Sequence, residues 1–498
     1  MLAQVNANLY ATLSAAFTDR RDHVFLRVPA GPSLTYGDVD ERSALMAGAL
    51  RELGVRVGDR VVAQIDKSTD NVALYLACLR IGAVFLPLNT AYTASEVAFF
   101  VGDAEPAVVI ARPGDLDDLA ARVVHLGVDG DGSFADRAAR ADPFDEIVQR
   151  SPDDLAAMLY TSGTTGRSKG AMLTHANLES NALALHDLWG FGPDDVLLHT
   201  LPIFHVHGLF VALHCAMLGA NEVVFLPRFD PSPVIEHLPE VTVMMGVPTQ
   251  YARLLGHDDF TADICANVRL FTSGSAPMTE AVHAEFTGRT GLQILERYGM
   301  TEAGMITSNP YVGARIPGTV GFPLPGVDLR VADDDGNEVA TGETGVVEIR
   351  SPGLFAGYWR LPDTTAAAYR SDGWFVTGDV GSVDADGRLR LEGRSSDMII
   401  SGGYNVYPKE IEMVLDEVPG VAETAVVGVP HPDFGEAVVA VVVRDGDVAD
   451  EVLARSLDGV LARFKHPKAF VAVDALPRNA MSKVQKAELR AELSALFE

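Results

Sequence analysis

Apolar positions along the first 155 residues switch between two periods. Residues 40–53 carry them at helical spacing, whereas Arg60–Gln64 and residues 83–86 are short apolar runs of strand length. Alternation of helices with short buried runs is the pattern of βα units, which predicts doubly wound, largely parallel sheets in an α/β fold. From 320 to 392 the texture changes to short alternating segments broken at Asp335-Gly336-Asn337 and Asp386-Gly387. Such turn signals predict a small antiparallel, barrel-like subdomain. Past Gly393, Ile411, Val414, Leu415 and Val418 recur at i, i+3, i+4 and i+7 behind Pro408, and strand-like runs follow at 424–429 and 438–443. The expected organisation is an N-terminal domain over 1–394 and a small, mobile α+β C-terminal domain over 395–498.

Composition narrows the function. The 498 residues are 48% hydrophobic and 21% charged, as in an ordinary packed protein. Lys plus Arg number 39 against 68 Asp plus Glu, a net charge of −29 that argues against nucleic-acid and anionic-membrane partners. Residues 1–21 show no signal-peptide pattern, and the longest apolar stretch, 208–220, contains His214 and is too short to span a bilayer. Cytoplasmic location is the expectation. Cys78, Cys215 and Cys265 are odd in number and set among apolar residues, which suits buried thiols in a reducing compartment. Lysine is scarce at seven residues; Lys169 lies in a glycine-rich loop and five others fall in the last ninety positions.

That loop carries the first candidate chemistry. A strand-like run, 156–160, feeds Thr161-Ser162-Gly163-Thr164-Thr165-Gly166-Arg167-Ser168-Lys169-Gly170. Glycines let backbone N–H groups turn toward a ligand, hydroxyls add donors, and lysine neutralises charge, as a polyphosphate requires. It is not the nucleotide loop of P-loop hydrolases: Lys169 precedes Gly170 and the strand-like Ala171-Met172-Leu173, not a Ser or Thr that opens a helix. Thr174 reads as the cap of the next helix.

YTSGTTGRSKG is followed in order by ERYGMTE at 296–302, TGD at 377–379, GRSSDMI at 393–399 and PRNAMSK at 477–483. These five segments lie between residues 160 and 483 and, within a resemblance that spans residues 30–490, resemble the ordered motifs of the adenylate-forming superfamily of acyl-CoA synthetases, adenylation domains and luciferases. The resemblance implies activation of a carboxylate by ATP and Mg²⁺ to an acyl-AMP, then transfer to a thiol, usually coenzyme A.

It also implies roles. Thr161, Ser162, Gly163, Thr164, Thr165, Gly166 and Lys169 would cradle the phosphates of ATP. Thr301 and Glu302 would belong to the catalytic set, with Glu302 the Mg²⁺ carboxylate. Gly274, Ser275, Ala276 and Pro277, with Tyr298 and Gly299, would enclose the adenine, Glu296, Arg297 and Met300 would complete the ATP-binding set, and Asp379 with Arg394 would hold the ribose. Lys483 matches the lysine that meets negative charge on the α-phosphorus. Because it belongs to the tail domain, catalysis would require interdomain closure. A rotation about Ser396, where the family more often has Asp or Lys, would then present Ser401, Gly402, Gly403 and Tyr404 to the pantetheine tunnel. The family also implies a lysine acetyltransferase and deacetylase acting on Lys483. His199, His205, His207 and His214 crowd sixteen residues, but no acidic or thiol ligand shares a convincing spacing for zinc. Pro202-Ile203-Phe204-His205 resembles the family's gate to the acyl site, with His207 facing the acyl pocket.

Arg297 sets the acid. A fatty or aryl acid calls for an apolar lining, whereas an arginine five residues before Glu302 calls for a second acid group, with Arg253, Ser275 and His207 as further contacts. Pairing of each arginine with a protein carboxylate such as Glu296 is the competing reading. The texture of 86–92, 205–208, 273–277 and 296–309 most resembles malonate-activating members, so malonate is the expected acid, with methylmalonate second. The rivals are a ligase for another short acid, a stand-alone enzyme loading a carrier-protein thiol, and a non-catalytic nucleotide sensor.

Overall fold

The computed structural model describes residues 6–161, 168–276, 278–394, 397–401, 404–406, 408–431, 434–458, 460–461, 463–479 and 483–497, without the side chains of Ile400, Tyr404 and Asn405. Two large sheets dominate. In the seven-stranded sheet, Leu155–Thr161, Val84–Pro87, Arg60–Gln64, Val108–Ala111 and Val123–His125 run parallel as neighbours, and Lys169–Thr174 and Gly357–Tyr358 close one edge antiparallel. The nine-stranded sheet has six parallel neighbours, from Ile294–Met300 to Val24–Arg27, flanked by antiparallel strands on both edges. Strands buried on both faces explain the short, nearly continuous apolar runs in the sequence. The helical spacing over 40–53 belongs to the helix Tyr36–Glu52, started by a Thr35–Asp38 capping box.

Residues 328–394 supply a four-stranded antiparallel sheet built from Asp328–Ala332, Gly345–Arg350, Phe375–Val383 and Leu389–Arg394. Its turns place Gly336 at φ +84° and Gly387 at φ +88°, the left-handed region that favours glycine. The strand Phe322–Pro323 joins the nine-stranded sheet instead. Beyond residue 397 a five-stranded sheet carries the helix Pro408–Asp416 on Ile411 and Leu415, with Val421–His431 and Gly435–Arg444 as its long central hairpin. Among the described residues no helix is long and apolar enough to cross a membrane.

Thr174 caps His175–Leu188 by accepting from the Asn177 N–H, so the strand Lys169–Thr174 leads straight into that helix. Cys78, Cys215 and Cys265 are free and buried, and burial raises each thiol above its ordinary pKa.

Candidate active site

Adjacent parallel strands of the nine-stranded sheet end in register. Met245 pairs with His199, Gly246 with Ser273, and Ser273 with Glu296. His199, Ser273-Gly274 and Arg297 therefore share one carboxyl edge, where open α/β sheets bind ligands. Alternation along the strand turns Arg297 and Glu296 to opposite faces. Glu296 accepts the Gly318 N–H at 3.1 Å, and burial raises its carboxyl to about 7. It does not pair with Arg297.

Arg297 is 2% exposed, and among the described residues neither its Nε nor its Nη2 has a hydrogen-bond partner. Burial lowers its pKa to about 10, so it remains cationic at neutral pH. His207 is buried with both ring nitrogens unpartnered; burial first, then the charge of Arg297, holds its pKa well below the ordinary value. Buried polar atoms are almost always satisfied, so four orphaned nitrogens on two electrostatically coupled side chains mark a place made for an anion. The backbone is shaped to the guanidinium: a Cβ at Gly274 would lie 2.4 Å from Arg297 Nη1. Ser275 follows at φ +69°, a strained conformation for a residue with a side chain. His205 is half-buried, and burial, then Lys483 and Arg297, push it down to about 4, so it is neutral at pH 7.

The nucleotide side is built across both large sheets and the antiparallel one. Asp379 faces Arg394 across a strand pair, with Arg394 Nε 2.7 Å from Asp379 Oδ1, and the Tyr298 hydroxyl donates to Oδ2. Burial raises the Asp379 pKa, opposed by Arg394 and Tyr298. Glu302 is buried, and its Oε1 accepts from the Tyr358 hydroxyl at 2.9 Å and from Thr161 Oγ1 at 3.5 Å. Lys169 Nζ sits 4.8 Å over the Tyr358 ring. Thr301 and Met300 are half-buried beside Glu302, and Gly299 leaves no room for a side chain, since a Cβ would lie 2.3 Å from the Gly304 carbonyl oxygen. One buried carboxylate beside hydroxyls and a lysine suits a magnesium ion that takes its other ligands from substrate phosphates and water.

Lys483 brings the tail to this crevice. Its surface is exposed, yet desolvation and the charge of Arg394 lower its ammonium pKa, while Asp379 and Glu302 oppose that shift. Its backbone N–H donates to Asn479 Oδ1 at 3.0 Å and its carbonyl accepts from the Asn479 N–H at 2.9 Å, which ties Lys483 to Asn479.

Arg253 requires a correction. The helix Pro248–Leu255 buries Tyr251, Leu254 and Leu255, which leaves Arg253 exposed, stacked over Phe229 at 5.0 Å. A helical repeat of 3.6 puts it on the face opposite that inward row. Ser275 is half-buried next to Gly274 and Ala276 is exposed. Ser401 is buried in the C-terminal sheet, paired with Tyr404 and Gly435. No hydrogen bond among the described residues ties it to the nucleotide side. Ser162, Gly163, Thr164, Thr165, Gly166, Pro277, Ser396, Gly402 and Gly403 lie outside the described residues, as does the Tyr404 side chain. Tyr358 was not anticipated. A tyrosine 56 positions after Glu302 carries no local signal; pairing of its strand with the phosphate-loop hairpin brings the two together.

A family model described as AMP-binding enzyme matches residues 13–359, and one described as AMP-binding enzyme C-terminal domain matches 410–483. The chain is 35% identical to the mitochondrial malonate–CoA ligase ACSF3 of Mus musculus over 98% of this chain and 93% of that one. It is 36% identical to a feruloyl-CoA synthase of an Amycolatopsis species over 92% of this chain and 94% of that one. ATP-bound MatB of Rhodopseudomonas palustris superposes with a TM-score of 0.96 at 48% identity, covering 99% of this chain and all of that one; its apo form gives 0.85.

Proposed function

The chain belongs to the AMP-binding enzymes, and from that premise we propose that it joins malonate to coenzyme A through malonyl-AMP, releasing AMP and pyrophosphate. Overall identity does not choose the acid, since a malonate ligase and a feruloyl-CoA synthase lie within one percentage point of each other. The buried, unpartnered guanidinium of Arg297 carries the choice. An aryl or fatty acid would leave it unpaired at a cost on the order of 3–5 kcal/mol, whereas the second carboxylate of malonate satisfies it.

Arg297 and an N–H of His207 grip the distal carboxylate. The near carboxylate is thereby held to attack the α-phosphorus, forming a C–O–P linkage as the bond to pyrophosphate breaks. Lys483 follows the charge that grows on the phosphoryl oxygens. Asp379, steadied by Arg394, accepts from the ribose hydroxyls. Glu302 would hold a magnesium ion, which would supply charge neutralisation. The thiol of coenzyme A then attacks the acyl carbon, AMP leaves, and the thiol proton passes to solvent. Neutral His205 lines that route without adding charge.

The proposal includes motion of the 395–498 unit between half-reactions about a junction near Ser396, with Ser401 to Tyr404 lining the thiol route in the second. A higher likeness to ATP-bound than to apo MatB supports reading the arrangement here as the adenylating one. Lysine acetylation at Lys483 would remove the charge the first half-reaction uses. The cytosol is the proposed compartment, a setting in which three unpaired thiols stay reduced.

The deciding experiment supplies purified protein with ATP, Mg²⁺, coenzyme A and a panel of acids, and scores thiol consumption. Malonate should be consumed, and acetate should be orders of magnitude poorer. Equal or better turnover of acetate or octanoate would overturn the assignment.

A further inference from the structure

Six of the seven lysines have evident work. Lys409 and Lys486 pair with Glu412, Lys465 pairs with Glu410, Lys468 lies over Phe434, and Lys169 and Lys483 serve the nucleotide side. The seventh, Lys67, follows the strand Arg60–Gln64 of the seven-stranded sheet and reaches the carboxyl edge of the other sheet. Its Nζ is 2.8 Å from His199 Nδ1, 3.0 Å from the His199 carbonyl oxygen, and 4.4 Å over the Phe225 ring. Among the described residues it forms no ion pair. Its neighbour Asp66 faces Arg112 at 3.7 Å, and Ser68 caps the following helix at the Asn71 N–H.

An ammonium so placed fixes a tautomer. His199 is buried, and its other nitrogen, Nε2, is 2.9 Å from the Gly208 carbonyl oxygen, which can only accept. Nε2 therefore carries the proton, and Nδ1 must find a donor, which Lys67 provides. Burial, then Lys67, holds the imidazole neutral, and burial pulls the Lys67 pKa down as well. Gly208 is the second residue of a π-helical turn, His207–Leu213, a rare conformation that recurs at functional sites. A Cβ at 208 would lie 2.1 Å from the Pro202 carbonyl oxygen, so this turn is clasped between Pro202 and the His199 proton. His207, with its two orphaned nitrogens, opens the turn.

We propose that Lys67 is a positioning residue of the acid pocket: it holds His199 as the Nε2–H tautomer and, through the Gly208 carbonyl, sets the turn that presents His207 to the distal carboxylate. The inference rests on the dicarboxylate reading above and assigns Lys67 no contact with substrate.

The test measures KM for malonate and for ATP by pyrophosphate exchange in Lys67→Met, Lys67→Arg, His199→Asn and the double variant Lys67→Met/His199→Asn. Malonate KM should rise about tenfold or more in Lys67→Met with ATP KM within about twofold, Lys67→Arg should recover most of the loss, and the double variant should be no worse than the worse single one. An unchanged malonate KM, a parallel rise in both KM values, or additive losses would overturn the role. If Lys67→Met does not fold, His199→Asn with its native lysine decides by the same selective shift. Should the wild-type protein not use malonate at all, the functional reading fails. The tautomer link then stands or falls on ¹⁵N-imidazole spectra: a His199 Nδ1 signal that moves in Lys67→Met supports it, and one that stays put refutes it.

Discussion

Arg297 and Lys483 are both cations set to meet anions, but they are held in opposite ways. Arg297 is 2% exposed, lies on the interior strand Ile294–Met300, has Gly274 pressed against its guanidinium and keeps two nitrogens unpartnered among the described residues. Lys483 is exposed, its backbone N–H donates to Asn479 Oδ1, and Asp379 and Glu302 act on its ammonium electrostatically. A specificity group can be built into the core because its ligand has the same shape in every cycle. Under the proposed function Lys483 acts in one half-reaction and must be able to leave, which favours placing it on a unit that can move.

Mutations should separate the two. Lys483→Ala should lower malonyl-AMP formation on the order of 10³-fold and spare thioester formation from supplied malonyl-AMP. Equal loss of both half-reactions would erase the distinction between a delivered and a resident cation. Arg297→Met, close in volume and uncharged, should lower kcat/KM for malonate on the order of 10²–10³-fold while ATP KM holds, read by pyrophosphate exchange. Gly274→Ala should cost less, about 10- to 100-fold on malonate, because the guanidinium must shift from a contact of 2.4 Å but keeps its charge.

The opposite face of the same strand offers a stability test. Folded Glu296 titrates at about 7, above the ordinary 4.5. A raised carboxyl binds its proton more tightly when folded, so its contribution is complete below about 4.5 and is lost as pH rises through about 7. Glu296→Gln keeps an acceptor for the Gly318 N–H and should raise stability at pH 8 on the order of 2 kcal/mol, with little change at pH 4, followed by thermal unfolding. The smallest effect belongs to Arg253→Ala, which should leave malonate KM within about twofold, since that side chain stacks on Phe229 at the surface. A large rise in KM there would mean the pocket reaches farther than the crevice.

Arg253 and Arg297 differ only through the elements that carry them. Both were arginines near acyl-site motifs, and nothing local separates them. One sits on a strand whose alternation aims it at the crevice, the other on a helix whose buried Tyr251, Leu254 and Leu255 turn it outward. The βα pattern, the antiparallel region, the Thr174 cap and the order of the nucleotide motifs were readable because each depends on periodicity or on residues adjacent in sequence. Tyr358 on Glu302 and Lys67 on His199 were not, because strand order and register alone bring residues 56 and 132 positions apart into contact. The chain's own pattern therefore specified its elements and its chemistry of nucleotide and acid. Tertiary packing decided which arginine is buried with unpartnered nitrogens, which lysine meets His199 and which hydroxyl reaches Glu302, since desolvation and hydrogen-bond partners are properties of a folded environment and of no residue alone.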